Sequence, residues 1–214
     1  MRKSPIQTDR RRFLKTSTAI TAGLVGFSIL PQQAWSQGAD ERINVIGPKE
    51  GYSQQLGTLV SMMNWMRMVI LNPVKNLTVE QLDYLHDDKS NSIGAMLLHL
   101  AATERYYQLH TFDGMKWGSW DNKIKQQWDV PMKLGDEARK TIKGNKLEYY
   151  LDILKDVRNT TLQEFKKRDD SWLMAVDNDW GWGPTNNYCK WFHVCEHESN
   201  HNGQIKFIKS RLPG

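Results

Sequence analysis

The stretch from Thr185 to Arg211 constrains the fold more than any other part of the chain. It is long enough for about seven helical turns, contains no proline, and has its first glycine at Gly203. Because helix breakers are nearly absent, this stretch predicts an α-helix. His193, His197 and His201 follow one another at intervals of four residues, so they lie on one stripe of that helix. Three of the chain's six histidines therefore share one face.

Imidazoles four residues apart on a helix can bind one divalent cation together, because both side chains reach the same point beside the helix. The same spacing occurs on polar helix faces that bind nothing, so a third ligand from another segment is needed. The best donor is His99, which lies among apolar residues in a second helical segment. A histidine in such surroundings is more often a core residue. By spacing alone, His197 pairs equally well with His193 or with His201.

Two motifs together resemble those of the DinB superfamily of metal-binding four-helix bundles. The first is L-L-H-L-A at residues 97–101, and the second is H-E-S-N-H-N-G-Q-I at residues 197–205, followed by a final arginine, Arg211. The resemblance extends from about Tyr52 to the C-terminus and is weakest in the middle. It implies a bundle in which the second and the last long helix supply the metal ligands.

The resemblance also implies which residues these ligands are. Carried over position by position, they are His99, His197 and His201. Members of the superfamily have an HxxxH pair just before a Gly-Gln step, and Gly203-Gln204 follows the later pair here. This landmark favours His201 over the alternative, His193.

Helical geometry indicates the neighbours of such a site. Met96, Thr103 and Tyr106 share the face of His99 and should line the cleft beside a metal. Gln204 lies close to the ligand stripe, one turn past His201, and can hydrogen-bond a bound ligand. Tyr106 and Gln204 are therefore the predicted pocket residues.

Three further polar residues are left out of the predicted site. Glu104 and Glu198 are near ligands in sequence but lie about 100° or more from them around the helix, so a solvated helix face is the expected environment. His110 is three turns beyond His99. None of the three is expected to contact the metal.

The two cysteines, Cys189 and Cys195, are six residues apart on the last predicted helix. This separation places them on different faces and too far apart for an intramolecular disulfide. Both are expected to be packing residues, and the fold must be stable without a covalent cross-link.

Residues 1–36 predict an export signal. Asp9 to Lys15 reads D-R-R-R-F-L-K and resembles the twin-arginine motif, and an apolar run extends from Ala19 to Leu30. Residues 34–36, A-W-S, resemble a cleavage site for signal peptidase. The apolar run is too short to span a bilayer comfortably. The mature protein is therefore expected to be periplasmic or extracellular, with no stable membrane anchor after cleavage.

Cleavage would also change the charge balance. The chain has 29 basic and 24 acidic residues, and removing the six basic and one acidic residue of the signal leaves 23 of each. The calculated pI of about 9.1 thus reflects the signal. No basic stripe with interleaved aromatic residues remains, so nucleic-acid binding is not predicted.

The mature chain predicts an extended leader at residues 37–52 and one all-α domain at residues 53–214. Apolar residues at helical spacing predict helices from Ser53 to Pro73, Thr78 to about Leu85, Asn91 or Ser92 to about Phe112, residue 147 to 168, and Thr185 to Arg211. Residues 113–144 show no clean period and predict an irregular connection. The four long helices favour an antiparallel up-down-up-down four-helix bundle, whose inward side chains can build a metal site.

The segment before the last helix is rich in tryptophan and glycine. Trp172, Trp180 and Trp182 lie among glycines that disfavour a regular element. They are expected to form either a cover or substrate wall at the bundle end, or aromatic plugs of the core. The sequence leaves both interpretations open.

Three imidazoles on Zn²⁺, Ni²⁺ or Fe²⁺ leave at least one coordination position for water or substrate. Bound water becomes a hydroxide nucleophile, and a bound thiol becomes a thiolate. The resemblance favours the thiol, because DinB relatives include S-transferases that use low-molecular-weight thiols. The prediction is an exported metal-dependent enzyme, a thiol S-transferase or a hydrolase, acting on a small molecule. The alternative is a non-catalytic bundle that binds metal or ligand. The natural substrate and homodimer formation are left open.

Overall fold

The computed structural model describes residues 42–213. The predicted signal peptide at residues 1–36 and the start of the predicted leader lie outside the described residues, so export stays a prediction. Among residues 42–213, no helix combines the length and the apolar character needed to cross a membrane.

The described chain is built almost entirely from α-helices. They are α1 (Gln54–Val74), α2 (Val79–Asp83), α3 (Ile93–Thr111), α4 (Asn122–Lys133), α5 (Gly135–Thr141), α6 (Leu147–Phe165), α7 (Asp170–Met174) and α8 (Asn187–Lys209). Two short strands, β1 (Val176–Asp177) and β2 (Thr185–Asn186), pair antiparallel ahead of α8. The long helices α1, α3, α6 and α8 form the bundle, which confirms the predicted fold class.

Side-chain caps fix the starts of the two helices that carry the histidines. Ser92 Oγ accepts a hydrogen bond from the Ala95 N–H at the start of α3. Asn186 Oδ1 accepts one from the Cys189 N–H at the start of α8. These acceptors satisfy amide groups that have no partner within the helix. The register of both helices therefore follows from local sequence.

Helix α3 lies at the centre of the bundle and is buried along most of its length. It packs against α6 and α8, and α1 packs against α8 on the other side. One apolar cluster includes Leu97, Leu154 and Ile205, and a second includes Leu59 and Trp191. The histidine-bearing faces of α3 and α8 are thus held together by apolar packing.

Four charged residues cross the bundle interior, one from each long helix, and we call them the charged layer. Arg67 and Arg158 donate hydrogen bonds to both Glu104 and Glu198. Glu104 is 0 % exposed and Glu198 is 2 % exposed. The expectation that both glutamates face solvent is therefore wrong. Their angle away from the histidine stripe points them into the bundle, where an arginine from each of α1 and α6 pairs with them.

Residues 113–144 are not an irregular connection, because they contain α4 and α5. Asp121 Oδ1 caps α4 by accepting a hydrogen bond from the Ile124 N–H. Ile124 and the buried Trp128 are spaced by four residues and face the core. The sequence did not predict α4 because this apolar spacing is short and Pro131 interrupts it. The proline is tolerated near the end of α4.

The described part of the predicted leader packs on α1. The Gly47 N–H donates to Ser61 Oγ, and Trp65 Nε1 donates to Asn44 Oδ1. A Cβ on Gly57 would come within 2.5 Å of the Lys49 backbone nitrogen. The glycine therefore allows the segment to approach the first turn of α1 closely.

Candidate metal centre

The packing of α3 against α8 brings His99, His197 and His201 together. One ring nitrogen from each lies within 4.8 Å of the other two, and His99 Nε2 is 2.8 Å from His197 Nε2. His99 and His201 are each 7 % exposed, whereas His197 is half-buried. We call these three residues the histidine cluster. They are the three ligands that the sequence predicts.

Hydrogen bonds fix the ring orientation of the two most buried members. His99 Nδ1 lies 2.9 Å from the Pro131 carbonyl oxygen, and His201 Nδ1 lies 3.1 Å from Gln204 Oε1. Because these oxygens only accept, each Nδ1 carries the proton and donates it. The Nε2 atoms of His99 and His201 are then unprotonated, as metal ligation requires, and His197 Nε2 lies within hydrogen-bond distance of the His99 Nε2 lone pair.

The surroundings keep the cluster uncharged. Burial, followed by the nearby His201, His99 and His193, lowers the pKa of His197 to about 3. Burial and the nearby His99 lower the pKa of His201 to about 4. Burial also lowers the pKa of His99, although its hydrogen bond to Pro131 opposes the change. At neutral pH all three imidazoles are therefore neutral and able to coordinate a cation.

The spacing fits a divalent cation. Zinc–nitrogen bonds of about 2.0–2.1 Å place two ligand nitrogens of a tetrahedral site roughly 3.3 Å apart. In the histidine cluster the shortest distance between two ring nitrogens, 2.8 Å, is below this value, and no two ligand nitrogens are more than 4.8 Å apart. Small ring rotations equalise these distances. Imidazole suits zinc, nickel and iron alike, and three ligands leave a further position open.

A cavity of about 710 Å³ begins at the cluster. We call it the larger cavity, because a second pocket has a volume of about 390 Å³. His197 and Thr103 line it at the cluster end. Tyr107, Trp117, Trp180 and Trp182 supply an aromatic wall. A ligand in this cavity is therefore held against aromatic rings and next to an imidazole of the cluster.

His193 lies in the wall of the larger cavity and not in the cluster. Its Nδ1 is 3.0 Å from the Tyr107 hydroxyl, and its ring centroid is 5.4 Å from that of His197. Between the two pairings left open by spacing alone, the geometry joins His197 to His201. Antiparallel packing explains the choice, because His193 lies opposite Tyr107 and not opposite His99.

His110 lies outside the histidine cluster but lines the larger cavity. Lys190, which is 1 % exposed, donates from Nζ to His110 Nε2 at 2.9 Å and to Asp177 Oδ2 at 2.7 Å. The same ammonium lies 4.5 Å from the ring centroid of Trp180. These contacts attach the β1–β2 loop to α3 and α8, and so position the cavity wall.

The tryptophans divide between the two expected roles. Trp182 lines the larger cavity, Trp172 packs against the second apolar cluster, and Trp180 does both. The pairing of β1 with β2 closes the loop that carries Trp180 and Trp182. Both a wall and an aromatic plug are therefore present.

The two predicted pocket residues have different surroundings. Gln204 contacts His201 directly. Tyr106 donates a hydrogen bond from its hydroxyl to Asp129 Oδ1, and burial, followed by this bond, raises the pKa of Tyr106. Its neighbour Tyr107 is the tyrosine that lines the larger cavity. A part for Tyr106 in the chemistry stays a prediction.

Sequence reasoning missed the contribution of α4. The Pro131 carbonyl orients His99, and Met132 lines the larger cavity. The spacing of Ile124 and Trp128 was the available signal for this helix, but it does not indicate which carbonyl faces the histidine. Pro131 lies in the last turn of α4, where carbonyl groups have no partner within the helix, so its oxygen is available to His99.

Both cysteines are free. Cys195 packs in the apolar core, and burial raises its pKa to about 11. Cys189 is exposed, so the expectation that it is a packing residue is wrong. Neither side chain belongs to the histidine cluster.

Comparison with solved structures shows the same fold. A conserved protein from Enterococcus faecalis is 14 % identical, with a TM-score of 0.54 over 71 % of this chain and 92 % of that chain. A protein from Streptococcus pneumoniae is 11 % identical, with a TM-score of 0.56 over 81 % of this chain and 98 % of that chain. At these identities the likeness concerns the fold alone. No curated protein matches the chain.

The sequence model of a family described as mycothiol S-transferase matches residues 58–214. This match covers all four long helices from the first turns of α1 onward, and it includes the complete histidine cluster. The chain therefore belongs to the mycothiol S-transferase family, which is a DinB-like family.

Proposed function

We propose that the protein is a metal-dependent thiol S-transferase that joins a low-molecular-weight thiol to a small electrophile. The observation that carries the proposal is the convergence of three neutral imidazoles beside a cavity large enough for a substrate. Family membership supports a small-molecule thiol as one substrate.

The reaction balances without a redox partner. The thiol sulfur forms a bond to an electrophilic carbon, and the bond from that carbon to its leaving group breaks. The leaving group takes the bonding electron pair, and the thiol proton is released. A divalent cation in the cluster lowers the pKa of a coordinated thiol and so supplies a thiolate at neutral pH.

The chain's own residues prepare this chemistry. Pro131 and Gln204 hold the rings of His99 and His201 with their unprotonated Nε2 atoms toward the cluster. The aromatic wall of the larger cavity restricts water near the reacting sulfur and supplies apolar contact area. Preorganisation of this kind lowers the cost of bringing the two reactants into contact.

Metal analysis of the purified protein and of three histidine variants tests the proposal. We expect His99→Ala and His201→Ala to lose bound metal, because each removes one of three ligands. We expect His193→Ala, the matched control from the same helix face, to retain metal. Full occupancy in the first two variants, or loss only in His193→Ala, would show that the cluster is assigned incorrectly.

An activity assay separates the transferase from its alternatives. Conjugation of mycothiol to 1-chloro-2,4-dinitrobenzene, with release of chloride, is measured with metal-loaded and metal-stripped protein. The proposal expects turnover that requires the metal. Turnover unaffected by chelation, ester hydrolysis in place of conjugation, or metal binding with neither activity would each contradict it.

A further inference from the structure

A second pocket of about 390 Å³ lies between the N-terminal part of α3 and the C-terminal part of α8. Met96, which lines it, precedes His99 by three residues. Gln204, which also lines it, contacts His201. The second pocket therefore approaches the histidine cluster through the immediate neighbours of two of its members.

The two cavities lie on opposite sides of the cluster along the contact between α3 and α8. On α3, Met96 of the second pocket and Thr103 of the larger cavity lie on either side of His99 in chain order. On α8, the pair His197 and His201 lies between His193 of the larger cavity and Gln204 of the second pocket. A molecule in each cavity would thus approach the same cluster from a different side.

Gly203 leaves the second pocket open. It lies inside α8 and lines the pocket, and a Cβ built on it meets no atom within 4 Å. Glycine inside a helix destabilises it relative to alanine. Close packing does not require the glycine here, and a larger side chain at this position would occupy space next to Gln204.

The lining of the second pocket indicates the chemistry of its ligand. Its apolar part is formed by Met96, Phe207 and Ile208, and the His86 ring packs edge-on against Phe207 at 5.4 Å. Lys89 lies on the rim and forms no hydrogen bond or ion pair through its ammonium group with residues 42–213. A small apolar or aromatic body with an acidic group matches this combination.

The carboxylate on the same rim is already engaged. Asp87 Oδ1 accepts hydrogen bonds from the backbone N–H groups of Lys89 and Ser90 at 2.8 and 2.7 Å. These bonds hold Asp87 within its own turn and lower its pKa. Lys89 is therefore the charged group of the rim with donors available for a ligand.

We propose that the second pocket binds the electrophilic substrate and that the larger cavity binds the thiol. This assignment rests on the proposed function, because a transfer requires two substrates that meet at one cluster. The larger cavity offers more volume and a direct approach to His197, as a thiol with polar substituents needs. The electrophile is of the class described above, a small apolar or aromatic molecule with an acidic group.

Two glycine variants provide a matched test. Gly203 lines the second pocket and Gly181 lines the larger cavity, and a Cβ on either meets no atom within 4 Å. Neither residue has the positive φ that would strain a larger side chain. Gly203→Leu and Gly181→Leu are therefore expected each to fill one cavity, and circular dichroism and metal analysis of both variants check that the fold and the metal content are unchanged.

Calorimetry with metal-loaded protein measures binding directly, with 4-nitrobenzoate as a non-reacting aromatic acid. We expect Gly203→Leu to weaken its binding at least tenfold, and Gly181→Leu to bind it as the wild type does. Gly203→Ala, with circular dichroism and metal analysis, checks that the helix tolerates substitution. No binding by the wild type, equal affinity in all variants, or weakening only in Gly181→Leu would overturn the proposal.

Steady-state kinetics add an independent result. In the conjugation of mycothiol to 4-chloro-3,5-dinitrobenzoate, an aromatic acid that releases chloride, Gly203→Leu should raise the KM for the electrophile, and Gly181→Leu should raise the KM for the thiol. The reverse pattern overturns the assignment. If the wild type transfers no thiol, the proposed function fails, whereas the calorimetric comparison still decides whether the second pocket binds the aromatic acid.

Discussion

Two neighbouring residues of α8 belong to regions with opposite electrostatics. His197 belongs to the histidine cluster, and Glu198 belongs to the charged layer in the bundle interior. Both regions are largely buried and both are built from polar side chains of several helices. They differ in whether each polar group has a partner of opposite charge.

In the charged layer, opposite charges compensate burial. Burial alone would raise the pKa of Glu104, but Arg158 and Arg67 outweigh it, and the pKa of Glu104 is lowered. Arg158 also donates to the Met63 carbonyl, and Arg67 to the Leu154 carbonyl. Each glutamate is thus paired with both arginines, although Glu198 Oε2 is buried without a hydrogen-bond partner, and the role of the layer is to hold four helices in register.

In the histidine cluster, burial acts without a compensating carboxylate. The pKa values of His197 and His201 fall to about 3 and about 4, so the rings stay neutral. Apart from the contact between His99 Nε2 and His197 Nε2, the cluster has no carboxylate or other charged partner for these rings. The comparison indicates that paired opposite charges stabilise this fold, whereas neutral imidazoles without a partner of opposite charge are available for function.

The largest effect on stability is expected from Arg158→Met. Removing one member of a buried ion-pair network leaves an uncompensated charge and costs about 3–5 kcal/mol. Glu104 would lose its hydrogen bonds from Arg158 Nε and Nη2. Urea unfolding followed by circular dichroism measures the change in the free energy of unfolding.

Lys133→Met is the control for that variant. Lys133 forms an ion pair with Asp129 at 3.3 Å, but its side chain is 74 % exposed. Exposed pairs contribute about 0–1 kcal/mol, so this variant should unfold almost as the wild type does. If both variants lost the same small amount of stability, the charged layer would not have the structural role described here.

Acid should destabilise the wild type more steeply than Glu104→Gln. The folded-state pKa of Glu104 lies below the ordinary value of 4.5 for a glutamate, so the unfolded chain takes up this proton first as the pH falls. The associated stability is present above the unfolded pKa and is lost as the pH falls through the folded pKa. Urea midpoints between neutral pH and pH 3 measure the difference. Parallel curves for the two proteins would contradict this role of Glu104.

The sequence was sufficient for the bundle and for the histidine cluster. The helical spacing of apolar residues and the capping residues, such as Ser92, are properties of the local sequence. Two histidines four residues apart lie on the same face of any intact helix. The ligand from α3 came from the family resemblance, since an isolated histidine among apolar residues has no local signature. Antiparallel packing then brought His99 opposite His197 and His201.

The sequence could not predict the charged layer or the contacts that orient the histidine rings in the same way. Whether Glu104 is solvated or buried depends on Arg67, which is 37 residues away in sequence and lies on another helix. The contact between His99 and the Pro131 carbonyl likewise depends on how α4 packs on α3. Single-helix patterns contain no information on such partners, so charged residues were assigned to the surface by their average behaviour.

Gln204→Leu should weaken metal binding without unfolding the protein. Gln204 Oε1 accepts from His201 Nδ1, and loss of an outer partner of this kind typically lowers metal affinity about 10–100-fold. Competition with a chromogenic chelator measures the affinity. Asn200→Ala is the control, because it removes the hydrogen bond to Gln204 Nε2 and leaves Oε1 in place. Unchanged affinity in Gln204→Leu would mean that His201 is oriented by packing alone.

The smallest expected effect is a gain in stability from Gly203→Ala. The added methyl group meets no atom within 4 Å, and the backbone at this position does not have a positive φ. Alanine inside a helix is therefore expected to stabilise the protein by about 0.5–1 kcal/mol, as a rise in the urea midpoint at constant slope. A loss of stability would show that Gly203 is needed for packing. A gain, in contrast, would show that the region around the histidine cluster is kept open at the expense of stability. The residues tested in the charged layer, by comparison, each contribute to the stability of the fold.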